Sequence, residues 1–289
     1  MRVAVVSRWS VSMVLLAGCC SPLWAESAPV AEFPFEYRAG LIWARVTVRQ
    51  SAEPLNFLLD SGAGASVINL RTAKRLGVRL GQRVAVCGVG ASTEGFWSQR
   101  IKANANGVAL PKNYLAVDLA ELSQACDCEV DGLLGADFFR GRVVQIDFAG
   151  RKVRLLPSVD AAKNDVSVEL RSSRGVFLAV VDVNGVKSQW MRVDTGCSSA
   201  LQWVANELGN VTKPSGVAVG LAELNIPAAT TSVRLGSATF DSVPTGLHRR
   251  PIFPGESGLL GNGLLTRFER ITFDPKRGRL VLQGCRAGR

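Results

Sequence analysis

The sequence predicts an all-β fold made of two duplicated lobes, and three observations support that class. The chain of 289 residues is 47% hydrophobic and contains 29 glycines, which is ample material for a core and for many turns. Few stretches have the period of a helix, whereas short apolar runs recur between turn residues. Four sequence signals appear in the same order in each half, as expected of an internal duplication. A pseudo-twofold axis should therefore relate two β lobes that contain few short helices.

The first 25 residues are predicted to be an export signal and not part of the fold. Arg2 and Arg8 form a basic start, and the apolar run "WSVSMVLLAG" that follows is too short for a stable membrane anchor. Two cleavage positions stay open: "LAGC" resembles a bacterial lipobox, which would leave Cys19 acylated at the new N-terminus, while "LWA" would permit cleavage after Ala25. Both predict an exported protein, either periplasmic or lipid-anchored in the bacterial envelope.

The repeat that defines the lobes begins at two aspartates. Asp60 and Asp194 each end an apolar run, in "FLLDSGAGASVI" and "MRVDTGCSSALQ". Segments that end in Leu-Gly come next, "NLRTAKRLG" and "LQWVANELG", and both are predicted to be helical. Each half then contains a Gly-Leu-Leu-Gly signal, in "DGLLGADFF" and "SGLLGNGLL". A hairpin-like pair of strands closes each half, in "VVQIDFAGRKVRLL" and "ITFDPKRGRLVLQ".

These signals place the first lobe at residues 30–157 and the second at residues 166–286. The polar string "PSVDAAKND" between them is the predicted link. Because equivalent elements of two related lobes meet at the axis, we expect Asp60 to lie opposite Asp194.

Other classes of chemistry have little support in the sequence. The formal net charge is +10, but the basic residues are scattered and do not interleave with aromatic residues, so no nucleic-acid partner is expected. Five cysteines follow the predicted leader, and disulfides or unreactive thiols are favoured over a metal site, because "CDC" at 126–128 lacks zinc spacing and a second ligand pair. With one histidine, His248, and no Gly-x-Ser-x-Gly string, a serine or cysteine hydrolase is disfavoured.

A facing pair of carboxylates has a specific use in catalysis. The two cannot both ionise at low cost, so the pair holds one proton over a wide pH range. The ionised member can take a proton from water as general base, while the protonated member donates to a substrate carbonyl. Gly62 and Gly196 allow the backbone to approach the pair closely. Ser61 and Thr195 carry hydroxyls that can bond across the axis and hold the two loops in register.

At these residues the chain resembles the aspartic peptidases. "LLDSGAGASVI" and "RVDTGCSSAL" are similar to their Asp-[Ser/Thr]-Gly signatures, and "GLLGADFF" and "RTAKRLGV" resemble bacterial retropepsin-like domains more than pepsin. The resemblance covers nearly all of the exported chain. It implies a bilobal endopeptidase without metal or organic cofactor, which cuts peptide or protein substrates in a cleft with Asp60 and Asp194 as the catalytic dyad. The alternative is a non-catalytic envelope protein that binds peptides in the same cleft.

The chain departs from the pepsin-like pattern at the residue after each Asp-x-Gly. Ala63 and Cys197 stand where pepsin-like members have Ser or Thr, whose hydroxyl supports the dyad. Cys197 is expected to be either a passive small residue or part of a disulfide. The loss of both hydroxyls predicts a working pH above the strongly acidic range, because a hydrogen bond to the ionised carboxylate is missing.

The family also covers its cleft with a β-hairpin flap, and residues 84–97 are the candidate for it here. Gly88, Gly90 and Gly95 suit a mobile hairpin tip, and Trp97 is placed to shade the cleft. The alternative is a surface hairpin that has no role in substrate binding.

Overall fold

The computed structural model describes residues 28–89, 92–205, 212–219 and 222–285, with residues 212–219 and 222–225 described by their backbone alone. The predicted export signal, Cys19 and Gly90 lie outside these ranges. Within them the chain forms 23 strands and four short helices, so the predicted all-β class is confirmed.

The first-lobe strands are β1 (Ala31–Pro34), β2 (Glu36–Arg38), β3 (Leu41–Val48), β4 (Leu55–Leu59), β5 (Val67–Asn69), β6 (Leu80–Cys87), β7 (Ser92–Ser98), β8 (Ala103–Ala105), β9 (Val108–Ala109), β10 (Leu115–Val117), β11 (Gly132–Leu134), β12 (Val143–Asp147) and β13 (Lys152–Leu156). The second-lobe strands are β14 (Val166–Ser173), β15 (Val176–Val183), β16 (Val186–Asp194), β17 (Leu201–Val204), β18 (Thr212–Val219), β19 (Ala222–Leu235), β20 (Ala238–His248), β21 (Gly258–Gly261), β22 (Phe268–Asp274) and β23 (Arg279–Cys285). The helices are α1 (Leu70–Arg75), α2 (Ala120–Ala125), α3 (Ala136–Phe139) and α4 (Asn262–Leu265).

The first lobe has its own sheet, in the order β6-β7-β10-β5-β11-β4-β3-β8-β9, with β2 paired to β3. Strand β11, which carries the first Gly-Leu-Leu signal, lies between β4, to which it is parallel, and β5, to which it is antiparallel. The loop from β4 to β5 therefore starts and ends on the two neighbours of β11. This arrangement fixes both ends of the loop that contains Asp60.

The second lobe repeats this arrangement. Strand β21, which carries the second Gly-Leu-Leu-Gly signal, is parallel to β16 and antiparallel to β17. Asp194 ends β16, and the loop that follows it leads into β17. The duplication read from the sequence is thus present in the strand pairing as well.

A second sheet joins the lobes, in the order β1-β13-β12-β22-β23-β14-β15-β16-β21-β17-β20-β19-β18. The join is the antiparallel pair β12 and β22, in which Ile146 is opposite Ile271 and Val144 is opposite Phe273. Because these strands are equivalent in the repeat, their pairing is what a pseudo-twofold axis requires. The two closing hairpins predicted from the sequence meet here, whereas residues 157–165 form no strand or helix.

Aromatic side chains of the two lobes also pack against each other. Phe139 of the first lobe has its ring centroid 4.7 Å from that of Phe273 and 6.3 Å from that of Phe177, both in the second lobe. All three are fully or almost fully buried in a core that includes residues of both lobes. The lobes therefore share one core and one sheet, which holds their facing loops in a fixed relation.

One of the two predicted helical segments is wrong. The first, "NLRTAKRLG", contains α1, and the Asn69 side chain accepts from the Arg71 N–H at its start. In the second, Leu201–Val204 form β17, because these residues pair with both β20 and β21 inside the sheet. Residues 206–211 of that segment lie outside the described ranges. No helix of the described ranges is long and apolar enough to cross a membrane.

Candidate active site

Asp60 and Asp194 come together where the two lobes face each other. Each carboxyl group affects the pKa of the other, because the two lie close together. A Cβ placed on Gly62 would lie 2.4 Å from Cγ of Asp194, and one on Gly196 would lie 2.5 Å from Cγ of Asp60. Because each glycine lacks a side chain, the carboxyl of the opposite lobe can lie against its backbone. A larger residue at either position would displace that carboxyl.

Ser61 and Thr195 connect the two loops directly. The Ser61 N–H donates to Oγ1 of Thr195 at 3.0 Å, and the Thr195 N–H donates to Oγ of Ser61 at 3.1 Å. The Ser61 hydroxyl also donates to the Val193 carbonyl at 2.6 Å, and the Thr195 hydroxyl donates to the Leu59 carbonyl at 2.7 Å. All four bonds cross between lobes and all are buried, so they fix the separation of the two aspartates.

Backbone amides orient each carboxyl. Oδ1 of Asp60 accepts from the N–H groups of Gly62 and Ala63, both at 3.0 Å. Oδ1 of Asp194 accepts from the Gly196 N–H at 2.9 Å. Oδ1 of Asp60 thus accepts two backbone hydrogen bonds, whereas Oδ1 of Asp194 accepts one. This difference favours ionisation of Asp60 over that of Asp194.

The pKa values of the two carboxyls follow this difference. Burial raises the pKa of Asp60 above its ordinary value, although the N–H groups of Ala63 and Gly62 and the charge of Arg192 lower it in part. Burial also raises the pKa of Asp194, and there the charge of Asp60 raises it further. The pair titrates as a unit in which Asp60 ionises first and Asp194 keeps the proton.

Cys197 does not take the place of the missing hydroxyl. Its thiol is buried and lies 2.9 Å from Oγ of Ser199. Burial, followed by the charge of Asp194, raises the pKa of this thiol to about 12, so it stays neutral. All five cysteines of the described ranges are free, which excludes a disulfide at Cys197 in this structure. Those ranges also contain no cluster of three or more metal-ligating side chains.

Arg192 and Asn262 belong to the site but were missed in the sequence. Arg192 is buried two residues before Asp194 and donates from Nη1 to the Gly62 carbonyl at 2.8 Å. Asn262 donates from Nδ2 to the carbonyls of Thr195, at 2.7 Å, and Gly40, at 2.8 Å. Both therefore bind a loop of the opposite lobe. A signal for Arg192 was available, because period two places it on the same side of β16 as Asp194.

A cleft of about 950 Å³, part of it open to solvent, lies over the dyad. The second lobe contributes Arg192, Asp194, Gly196 and Phe253 to its lining. The first lobe contributes an apolar wall, made of Leu58, Val67, Val86, Leu115, Val117, Leu119, Leu122 and Leu133. An extended chain bound above the dyad would therefore meet an apolar surface on one side.

The candidate flap is the antiparallel hairpin of β6 and β7. Cys87, Gly88 and Val89 at its end line the cleft, and Val89 is buried against Cys197 and Leu259 of the second lobe. The hairpin therefore reaches across the cleft and touches the opposite lobe. This contact supports a flap and not a remote surface hairpin.

Two of the four predicted flap residues lie away from its tip. Gly95 is within β7, where a Cβ would come 2.8 Å from Cγ2 of Val86, so its role is close packing of the hairpin and not mobility. Trp97 pairs with Leu115 of β10, is 38% exposed and does not line the cleft. The expectation that Trp97 shades the cleft has no support in this geometry.

Comparison with known proteins agrees with the resemblance seen in the sequence. Residues 44–138, about a third of the chain, match the aspartyl protease family model. Of the solved structures, 251 chains match, and one is the aspartic proteinase from Irpex lacteus, with a TM-score of 0.58 and 12% sequence identity. That match covers 88% of this chain and 97% of the fungal one. A search of curated proteins finds no match.

These matches confirm the fold that the sequence motifs indicate, and over the first lobe they agree with the family resemblance. The first lobe matches aspartyl proteases by sequence, and the chain has the bilobal fold of an aspartic proteinase. At 12% identity the fungal structure supports the fold alone. The match of the first lobe and the fold together support a hydrolase of the aspartic peptidase type. The matched residues include Asp60 but end before Asp194, so the role of the dyad rests on geometry.

Proposed function

We propose that the protein is an aspartic endopeptidase in which Asp60 and Asp194 activate one water molecule. The observation that carries this proposal is the contact of the two carboxyl groups under an interlobe cleft, each packed against the glycine of the other loop. Two Asp-x-Gly loops held in this way have no evident use in a protein that only binds peptides. The arrangement instead matches the requirement for one carboxylate and one carboxylic acid at a single reacting atom.

The steps follow from the protonation states of the pair. Ionised Asp60 takes a proton from the water as its oxygen attacks the peptide carbonyl carbon, and protonated Asp194 donates its proton to the carbonyl oxygen. The result is a neutral tetrahedral diol, with Asp60 now protonated and Asp194 ionised. Breakdown returns a diol proton to Asp194 and transfers the Asp60 proton to the amide nitrogen, so the C–N bond breaks and the dyad regains its starting state.

The apolar wall of the cleft indicates which peptides the protein would bind. Nine Leu and Val side chains of the first lobe line the cleft, beginning with Leu58, two residues before Asp60. Burial of a Leu or Phe side chain there would contribute about 1.5–3 kcal/mol to binding. We therefore propose cleavage beside large apolar residues of an extended peptide.

Cleavage of a diverse peptide mixture tests the function. Protein expressed from the full sequence, so that any N-terminal processing takes place, is compared between pH 3 and pH 7 with Asp60→Asn and Asp194→Asn. Turnover by the parent that each variant loses, with cuts beside apolar residues, supports the proposal. Asp241→Asn, an exposed aspartate, is the matched control. A folded parent that binds peptides without cleaving them would establish the peptide-binding alternative instead.

The place where the protein acts is a separate proposal, supported by the sequence of the leader alone. We propose export followed by acylation of Cys19, which would attach the protein to a membrane surface. Mass spectrometry of the mature N-terminus tests it. A lipid-modified Cys19 supports attachment, whereas an N-terminus at Glu26 shows a soluble exported protein.

A further inference from the structure

The strongest unexplained feature near the dyad is a buried arginine. Arg192 and its partner Glu256 are both buried, and the guanidinium binds the carboxylate through two bonds, from Nε to Oε2 at 2.8 Å and from Nη2 to Oε1 at 2.6 Å. The guanidinium also lies 3.4 Å from the ring centroid of Phe253. Burial of an ion pair costs several kcal/mol per ion, so this pair needs a reason beyond stability.

The repeat shows that the arginine is not required by the fold. Arg192 stands two residues before Asp194, and the equivalent residue in the first lobe is Leu58, two residues before Asp60. Leu58 pairs with Leu133 of β11, and Arg192 pairs with Leu259 of β21, in the same way. Both side chains line the cleft. An aliphatic residue is therefore accommodated at this place in one lobe, while the other lobe has a cation.

The arginine acts on both loops of the dyad. Its Nη1 donates to the Gly62 carbonyl at 2.8 Å, which ties the Asp60 loop of the first lobe to β16 of the second. Its charge lowers the pKa of Asp60 and also that of Asp194. The titratable groups around the pair are Arg192 with Glu256, the neutral thiol of Cys197 beside Asp194, and Cys87 of the flap, which lines the same cleft.

We propose that Arg192 is a positioning residue that holds the Asp60 loop against the second lobe and presents a positive charge to both carboxyls. Glu256 fixes the direction of the guanidinium through its two bonds, and Phe253 covers the face of the guanidinium. The cation then stabilises the form of the dyad that carries one negative charge. This proposal rests on the proposed function of the dyad, and its main test is a titration that does not depend on turnover.

The test is a carbon-13 NMR titration of labelled aspartate carboxyl carbons, with the dyad signals assigned through Asp60→Asn. In Arg192→Met/Glu256→Gln both charges are removed together, so no unpaired buried charge is left. The first ionisation of the dyad is expected to move up by about one pH unit, because an opposite charge has gone. In Glu256→Gln the cation remains, and the midpoint is expected to stay or fall. Arg171→Met, which removes a cation stacked on Trp190 outside the cleft, is the matched control with no shift.

Two results would overturn the proposal. One is an unchanged midpoint in the double variant, and the other is an equal rise in the double variant and in Glu256→Gln, which would indicate general loosening. If the double variant fails to fold, Arg192→Lys replaces it. Lysine keeps the charge but cannot form the fork of bonds to Glu256 and Gly62, so the midpoint should hold while kcat falls roughly tenfold. An unchanged kcat in Arg192→Lys would refute the positioning role.

The titration also separates the two proposals. The expected shifts in a protein that cleaves no peptide would overturn the proposed function and leave the role of Arg192 standing. Turnover that depends on Asp60, without any shift in the variants, would do the reverse.

Discussion

Gly62 and Asp194 belong to different lobes, yet the α-carbon of the glycine is in direct contact with the carboxyl of the aspartate. A Cβ at position 62 would lie 2.4 Å from Cγ of Asp194, a distance that real Cβ atoms do not show. The atom that would clash belongs to a carboxyl group held by the Gly196 N–H. Displacement of this carboxyl would break its hydrogen bond with the Gly196 N–H.

Gly62→Ala should for this reason remove activity and stability together. We expect a loss of about 1–3 kcal/mol in the free energy of unfolding, as is typical when a well-packed site is overfilled, and loss of peptide cleavage. Chemical denaturation and the peptide assay measure the two effects. Gly64→Ala is the stability control, because its added Cβ would meet only ordinary contacts at 3.7 Å and beyond. Equal stability of the two variants would contradict the close contact with Asp194.

Thr195→Ala should weaken the join between the loops. It removes the acceptor of the Ser61 N–H and the donor to the Leu59 carbonyl, and leaves both groups buried without these partners. Each unsatisfied buried group costs about 1–3 kcal/mol, so denaturation should show a loss of that order or more. Thr195→Ser keeps the hydroxyl and should retain most of the stability. If both variants lose the same amount, the methyl group of Thr195 and not its hydroxyl is responsible.

The sequence was sufficient to pair the aspartates and to find the residues of their own loops, but not to find the buried ion pair beside them. Asp60 and Asp194 could be placed opposite each other because a repeated pattern is local, and a local pattern survives in one sequence. Arg192 and Glu256 are 64 residues apart and meet only through the parallel pairing of β16 and β21, for which there is no local signal. Their recognition requires knowledge of the fold.

The same limit explains the helix that was wrongly predicted. Leu201–Val204 form a strand because β20 and β21 flank them on both sides, and this tertiary pairing overrides local propensity. The equivalent strand β5 of the first lobe covers only Val67–Asn69 before α1 begins. The two lobes share their pairing scheme but differ in where the strand ends, and sequence similarity between the halves could not show that difference.

The missing hydroxyls at Ala63 and Cys197 should affect the pH dependence of cleavage. The optimum is expected above the strongly acidic range, because a hydroxyl bond that favours the ionised dyad is absent. Ala63→Ser should restore such a bond and move the acidic limb of the pH–rate profile to lower pH. Cys197→Ala should leave the profile in place, since the thiol is neutral and bonds to Ser199. An optimum near about pH 2 in the parent would contradict the first expectation.

The raised pKa of Asp194 also has a consequence for stability. Folding raises it from 3.8 to about 8, mainly through burial and the charge of Asp60. A carboxyl whose pKa is higher in the folded state contributes fully to stability when the pH is below its pKa in the unfolded state. This contribution is lost as the pH rises toward its pKa in the folded state. Stability should therefore decline between about pH 4 and about pH 8. Asp194→Asn, which stays neutral, should flatten this decline, while Asp241→Asn should not; identical slopes in both variants would refute the assignment.

Val89 provides a direct test of the flap. Its side chain is buried at the end of the β6–β7 hairpin against Cys197 and Leu259 of the opposite lobe. Val89→Ala removes two methyl groups from this contact, which should cost about 1.6 kcal/mol and make opening of the hairpin roughly fifteenfold more frequent. Hydrogen exchange of the backbone amides in β6 and β7 measures that frequency, and exchange in the shared sheet should not change.

The matched control for this experiment is Val186→Ala, the same substitution at a position where the side chain is 47% exposed. It should leave exchange in the hairpin at the parent rate, because Val186 lies at the start of β16 and takes no part in the contact. Equal exchange of the hairpin amides in both variants would show that Val89 does not hold the flap closed. A faster exchange confined to Val89→Ala would establish that the hairpin opens by breaking this contact with the second lobe.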